Sequence, residues 1–244
     1  MINKIKKNNI LSEINLVEEY YNTDPIALAV SGGPDSMAMM FLASQSKKIK
    51  KENVTILTVD HDLRKDSFKE ANIVMQNAKK IGFKCKILKW KGLKPTSGIQ
   101  EAARRSRYDM MLSWCKKNNV KKLFLAHHMD DQVETFLMRL SKGSGIDGLS
   151  SMSKKSNKEN INIIRPFLEI PKVKLVEIAN FSKMEWISDP SNSNLSYQRS
   201  RIRKLLPTLA KEGIDSHHIN LAIKRMVSAK DTLVKITNRD ISKY

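Results

Sequence analysis

Two short segments of this chain concentrate groups able to bind an anion and to move a proton. The first, Ser31-Gly32-Gly33-Pro34-Asp35-Ser36, sets two glycines beside two hydroxyls and a carboxylate. Glycines let a backbone close around an anion. A helix starting at Pro34, whose missing N–H has no partner to lose there, would turn free amides toward a phosphate. Ser31 and Ser36 can donate as well. The hexapeptide lacks the lysine of G-x-x-x-x-G-K-[ST] and the third glycine of G-x-G-x-x-G, so it is neither an ordinary P-loop nor a dinucleotide fingerprint. A carboxylate beside phosphates calls for a cation. Asp35 is therefore read as a Mg2+ ligand or an acceptor behind one, the plainer alternative being an Asp/Ser cap on a glycine turn.

The second segment, Ala126-His127-His128-Met129-Asp130-Asp131-Gln132-Val133-Glu134-Thr135, gathers two imidazoles and three carboxylates. Asp131 and Glu134 are three apart and Asp130 and Glu134 four apart, so a helix would put them on one face to hold a hard cation or accept a proton. His127 and Asp131, also four apart, would suit a transition metal instead. Acids in a first helical turn are also favoured by the helix dipole alone, but paired histidines are expected to add nothing to capping.

Arg104, Arg105 and Arg107 fall within four residues and cannot all face a core, so some are solvated or turned toward an anion such as phosphate or nucleic acid. The Gly-rich stretch Ser141–Leu149 reads as too irregular for regular structure, either a loop moving over a site or an ordinary connector. Asp189-Pro-Ser-Asn192, Tyr197 and the alternating Arg199, Arg201 and Arg203 combine a turn, an aromatic and cations, as a nucleic-acid contact or a solvated helical face would. The methionines after Ser36 and the three Trp read as packing, and His217-His218 as surface.

The elements that must position these groups follow from hydrophobic periodicity. Ile26–Val30, Val54–Val59, Lys84–Trp90, Lys122–Ala126 and Ile161–Arg165 read as strands, and helical patterns separate them. That alternation predicts an α/β fold, a doubly wound, mostly parallel five-stranded sheet, with Ser31, Asp60 and His127 at the carboxyl ends of strands, where such sheets bind ligands. Beyond Leu168 the pattern becomes helical and polar. Residues 199–244 hold eleven Lys and Arg against four Asp and Glu. We expect a catalytic domain over residues 1–205 and a small basic helical appendage over 206–244.

Across 244 residues, 44 Lys and Arg face 25 Asp and Glu, a net charge of +19, which points to a polyanionic partner. Lys outnumbers Arg three to one, as A+T-rich coding would also produce. That explains the lysines but not the arginine clusters. With only Cys85 and Cys115 and no C-x-x-C, a thiolate zinc site, an iron–sulfur cluster and a disulfide framework are disfavoured. No apolar run reaches 18 residues and no signal-peptide pattern is present, so the expectation is a cytoplasmic protein without a membrane span.

Taken in order, these segments resemble the PP-loop ATP pyrophosphatase family, and within it the branch that forms lysidine in tRNA. Ser31–Ser36 matches S-G-G-x-D-S. Val59-Asp60-His61-Asp62-Leu63-Arg64 resembles V-D-H-x-L-R, and Gln100 to Tyr108 resembles Q-E-A-A-R-x-x-R-Y. Ala126–Thr135 resembles A-H-H-x-D-D-Q-x-E-T. The K-G-S-G…G-L stretch, Arg165-Pro166 and D-P-S-N…Y-Q-R-S-R-I-R follow in the family's order. The likeness spans residues 24 to 206 and departs at Lys142 and Ser200, where the family usually has Arg and Asn.

The resemblance implies an ATP-dependent carbon–nitrogen ligase. ATP would bind with its phosphates on Ser31, Gly32, Gly33, Pro34, Asp35 and Ser36 and its adenosine near Val59, Asp60 and His61. Mg2+ would be held by Asp35 and by the Asp130/Asp131 acids, with Asp131 the chosen metal ligand. The oxygen at C2 of the wobble cytidine of a CAU-anticodon tRNA(Ile) would attack the α-phosphate and displace pyrophosphate, with Arg104 opposing the charge. The ε-amine of free L-lysine would then attack C2 and release AMP, giving up its proton to Asp130 or Asp131. Lysine would be held by His127, Asp130 and Glu134, and tRNA by Arg64, Arg105, Lys142, Arg199, Arg201 and Arg203. Longer members carry further C-terminal domains, and the residues after Arg203 are expected to form only a helical remnant of them. A homodimer is a candidate assembly. The rival activities are a tRNA thiolase of the same superfamily, an amidotransferase-type ligase, and a non-catalytic RNA-binding module on the same fold.

Overall fold

The computed structural model describes residues 13–62, 67–90, 98–188 and 195–241. In chain order its elements are α1 (Ile14–Glu18), β1 (Ile26–Ala29), α2 (Pro34–Gln45), β2 (Val54–Asp60), α3 (Ser67–Lys80), β3 (Lys84–Lys89), α4 (Ile99–Lys117) and β4 (Lys122–Phe124). There follow α5 (Met129–Leu140), α6 (Ile146–Leu149), β5 (Lys155–Lys158), β6 (Ile161–Ile164), α7 (Lys172–Phe181), α8 (Gln198–Lys211) and α9 (Ser216–Ile241). They form two compact units. The first holds the described residues up to Ala126 with Lys155–Phe167 and Lys172–Ser188; the second holds His127–Lys154, Leu168–Pro171 and the described residues from Leu195 onward. The boundary expected after residue 205 falls inside α8.

Unit 1 is the α/β layer. Its sheet runs β3-β2-β1-β4-β6-β5, parallel throughout except for β5, which pairs antiparallel with β6. Parallel strands covered on both faces read as continuous apolar runs. β1 accordingly buries Ile26, Ala27 and Leu28 completely. Alternation sends Ala27 and Leu57 to one face, where they join Met111, Leu112 and Cys115 of α4, Leu123 and Ile163. The methionines of α2, Met37, Met39 and Met40, are fully buried, which bears out their reading as packing.

The sixth strand corrects the expected five. Lys155-Ser-Asn-Lys158 has no apolar residue to reveal a strand and pairs through its backbone, Lys155 opposite Ile164 and Lys158 opposite Ile161. It reaches β6 through Glu159 and Asn160, both left-handed at φ 54° and 64°, the geometry of a tight primed hairpin turn. Lysines at both ends suit an edge strand, where charge discourages further pairing.

From β1 the chain runs outward through β2 and β3 and then crosses back to β4 on the other side of β1, so the strand order reverses between β1 and β4, where such sheets open a crevice at the carboxyl ends. The segment from Ser31 begins there. Unit 2 is helical and packs α5, α6, α8 and α9 around Val133, Phe136, Ile219 and Ile223, with Leu137, Leu149, Leu206 and Val227 against them. Glu169 is held there by Lys154 at 2.9 Å and Lys224 at 2.8 Å. Among the described residues no helix is long and apolar enough to cross a membrane. Burial pushes the Cys85 thiol up to about 11 and the Cys115 thiol up to about 12, so both stay protonated and poorly nucleophilic near neutrality.

Candidate functional site

In unit 1 the chain leaves β1 through Val30, whose N–H still donates to Leu57 O at 2.9 Å. Gly32 then takes φ +90°, and a Cβ there would lie 2.6 Å from Ile187 Cδ1. The dihedral calls for glycine, and a Cβ would in addition push the Ile187 side chain aside. The turn is held from outside, since Ile187 N–H donates to Gly32 O at 2.9 Å and Asn77 Nδ2 donates to Glu185 O at 3.0 Å. Ser36 Oγ donates to Gly33 O at 3.0 Å and accepts the Ser31 N–H at 3.1 Å, with Ser31 Oγ 3.3 Å away. Both hydroxyls thus knit the loop around the start of α2.

Gly33 is the N-cap of α2 and offers no side chain to its amides, and Pro34 follows at the first turn. Those amides carry the positive end of the helix dipole and suit an anion. Asp35 lies half-buried in that first turn but is not the cap, so the plain capping reading of this carboxylate does not apply.

At the end of β2 Asp60 is 1% exposed, and its Oδ1 accepts the Asp62 N–H at 2.9 Å and the Ser67 hydroxyl at 2.6 Å. Its carboxylate therefore builds the entry to α3. Val59 packs on the core, and His61 accepts Arg107 Nε–H at its Nε2, 3.3 Å away, with the Trp90 ring edge-on at 5.9 Å. Arg64 and Asp189–Asn192 lie outside the described residues.

The three arginines of α4 separate by helical spacing. Arg104 places its guanidinium 5.6 Å from the centre of the Tyr108 ring, Arg105 is exposed, and Arg107 turns to His61. The residues read first as an arginine run thus include Tyr108 and Arg107 as working neighbours. Their i,i+3 and i,i+4 spacing from Arg104 was the available signal.

In unit 2 His128 overturns the expectation that paired histidines do not cap. It is the N-cap of α5, its Nδ1 accepts the Asp131 N–H at 3.4 Å, and its own N–H donates to Asp131 Oδ2 at 3.2 Å. An imidazole nitrogen can stand where a serine oxygen usually does, closing a reciprocal capping box. Burial pushes the Asp131 carboxyl up, but His128, His127, Arg199 and the His128 N–H together outweigh that and hold it below the usual carboxylate range. Asp130 is more open, with a side chain 31% exposed against 16% for Asp131.

Glu134 is not open at all. Its side chain is 1% exposed and engaged by Arg203 Nε at 2.7 Å and Arg199 Nε at 3.0 Å. The hydrogen bond to Glu134 raises the Arg203 pKa further. Arg199 also donates to the Thr135 hydroxyl at 3.2 Å. Arg201 Nη1 donates to Ser196 O at 2.7 Å and Leu195 O at 3.0 Å, closing the start of α8. Lys142 is exposed at the end of α5.

The Gly-rich stretch is more regular than expected. Ile146–Leu149 makes the turn of α6, and Arg139 Nη1 donates to Gly148 O at 2.7 Å and Ser151 O at 3.1 Å. Among the described residues no group of three or more His, Cys, Asp or Glu side chains is set to hold a metal, so the His127/Asp131 pair has no third such ligand in a transition-metal site. Mg2+ makes a smaller demand, one or two carboxylates with phosphates and water completing its shell. Asp35, at a loop suited to phosphate, fits that donor chemistry.

Residues 5–209 match the PP-loop domain family. The chain is 42% identical over 220 residues to a tRNA(Ile)-lysidine synthase of Wolbachia pipientis wMel, covering 89% of this chain and 51% of that protein. It is 35% identical over 237 residues to one from Bradyrhizobium diazoefficiens, covering 92% of this chain and 66% of that protein. The chain thus spans between half and two thirds of these relatives' length. A solved U34-tRNA thiolase from Methanococcus maripaludis superposes with a TM-score of 0.77 at 17% identity, covering 92% of this chain and 80% of that one, which shows a shared fold.

Proposed function

The chain belongs to the PP-loop family, and on that premise we propose that it converts the wobble cytidine of a CAU-anticodon tRNA(Ile) to lysidine, using ATP and free L-lysine. The observation that carries this reading is the identity to tRNA(Ile)-lysidine synthases over nine tenths of the chain. The loop between β1 and α2 supports the ATP half. Uncapped α2 amides, with the Ser31 hydroxyl, receive the phosphates, and Ser36 holds the loop in shape. Arg104 opposes the charge that builds when the cytidine oxygen attacks the α-phosphate.

Asp35 is the carboxylate of unit 1 that would hold Mg2+, which when bound neutralises phosphate charge. Asp131 Oδ2 is already turned to the His128 N–H, so the more open Asp130 is the better acceptor for the proton of the lysine ε-amine. The amino acid is held from His127 and Asp130. Glu134 acts through its hold on Arg199 and Arg203. Exposed Arg105 and Lys142 suit tRNA phosphates. The thiolase alternative is disfavoured by two cysteines that burial keeps protonated.

The test is incubation with a CAU-anticodon tRNA(Ile) transcript, ATP, Mg2+ and labelled lysine, followed by nucleoside analysis. Alkali-stable label at the wobble cytidine is the expected result, absent in Asp35→Ala. Release of AMP dependent on tRNA but without label would keep the adenylation and overturn lysine as the nucleophile.

A further inference from the structure

We propose that Lys158 and Arg165, gathered with Arg104 around Tyr108 in unit 1, form a phosphate site additional to the Ser31–Ser36 loop. The inference deepens the reading above and rests on it, since it requires a phosphate-bearing substrate. Four residues from three elements meet here. Arg104 and Tyr108 are i,i+4 on α4, and the Arg104 guanidinium carbon lies 5.6 Å from the ring centre. Lys158, the last residue of β5, brings its Nζ to 6.0 Å from the same centre. Arg165 follows β6 directly and donates to Ser156 Oγ on β5 at 3.0 Å and to the Tyr108 side chain. The polar strand that sequence reading overlooked therefore supplies both Lys158 and the hydroxyl that orients Arg165.

The arrangement works against its own electrostatics. Arg165 is 9% exposed, and burial lowers its pKa, Tyr108 raises it, and neighbouring Arg104 lowers it again. Asp109 approaches Lys158 at 4.0 Å, but both are about half exposed and such a pair contributes little. Tyr108 accepts from Arg165, a bond that does not use its own hydroxyl hydrogen. A phosphate group, accepting at several oxygens, takes that O–H together with guanidinium N–H groups and relieves the repulsion between the cations. The same chemistry is carried by a backbone phosphodiester of RNA and by a phosphate of ATP.

Two measurements on the full chain separate these sources. Affinity for the tRNA transcript is taken across a salt series, and the KM for ATP is taken alongside, for wild type, Lys158→Met, Arg165→Met and the charge-keeping Arg165→Lys. If the site holds an RNA phosphodiester, each Met variant lowers the slope of log affinity against log salt by about 0.8, leaves the KM for ATP alone, and Arg165→Lys recovers the slope. If it holds a phosphate of ATP, the KM rises severalfold and the slope is unchanged. If Lys158→Met and Arg165→Met, folded by circular dichroism, match wild type in both measurements, or if Arg165→Met does not fold and Lys158→Met alone matches, the site is overturned. Wild type that binds neither tRNA nor ATP would instead overturn the broader reading.

Discussion

The proposed phosphate loop of unit 1 and the acidic cluster of unit 2 are built by opposite means. At Gly32–Ser36 the working surface is backbone, and side chains serve mainly to hold its shape. Ser36 ties Ser31 to Gly33, and the fold beyond contributes a hydrogen bond and a methyl group from Ile187. From His128 to Glu134 the working groups are side chains, and most of their charge is already spent. Asp131 closes a cap, and Glu134 is shared by two arginines more than 60 residues along the chain. A backbone site tolerates few substitutions because its conformation excludes them. A side-chain site instead fails when one partner of a charge network is lost.

The largest effect that would sharpen this contrast is expected from Gly32→Val. A branched side chain cannot hold φ +90° and also crowds Ile187 and Val74, so the loop backbone shifts and ATP-dependent turnover should fall about a thousandfold, the scale of losing oriented donors, while the circular dichroism of the fold persists. Turnover near wild type would show that the loop's backbone does not carry the phosphates.

Next comes Glu134→Ala, which strands two partly buried guanidiniums. A loss of about 3 kcal/mol is expected, a fall in Tm of roughly 6–12 °C by differential scanning fluorimetry. Glu134→Gln should recover only part of it. An unchanged Tm would break the claim that unit 2 depends on this network.

Asp131→Asn should cost about 1 kcal/mol through its weakened cap, and it should also alter acid stability. The Asp131 carboxyl titrates lower in the folded chain than its unfolded value of about 3.9, so the stability it adds is full above that pH and is lost as pH falls through the lower folded value. Urea midpoints should therefore converge between wild type and variant below about pH 4. A constant gap down to pH 2 would remove the linkage.

The smallest effect is expected from Asn160→Gly. At φ 64° glycine relieves strain in the β5–β6 turn and should stabilise by a few tenths of a kcal/mol, read as a slightly higher urea midpoint. A loss would argue that the Asn160 side chain, rather than the backbone, sets the turn.

The same division decides how much was legible beforehand. Gly32, Pro34 and Ser36 announce their loop because glycine and proline are local requirements of dihedral angle. The parallel strands announce themselves as apolar runs because both faces are covered. Residues 155–158 gave no such sign, since an edge strand paired through its backbone needs no apolar face. The capping role of His128 is hidden from residue type because it depends on an available acceptor nitrogen. The roles of Asp60 and Glu134 were hidden for a different reason. A carboxylate's chemistry depends on which donors reach it, and here they are Ser67 seven residues on and Arg203 sixty-nine residues on.

What the amino-acid sequence determined by itself was the α/β layering, the phosphate-type turn and the family, because periodicity, dihedral preference and motif order are properties of short stretches. What only the tertiary structure decided was which charges are spent and which remain. Glu134 is neutralised by α8, Asp60 is used in a turn, and Arg104 and Arg165 are drawn together on Tyr108 by strands that share no local pattern. Electrostatic partnership is set by distance and burial between residues far apart in the chain, and no local spacing encodes it.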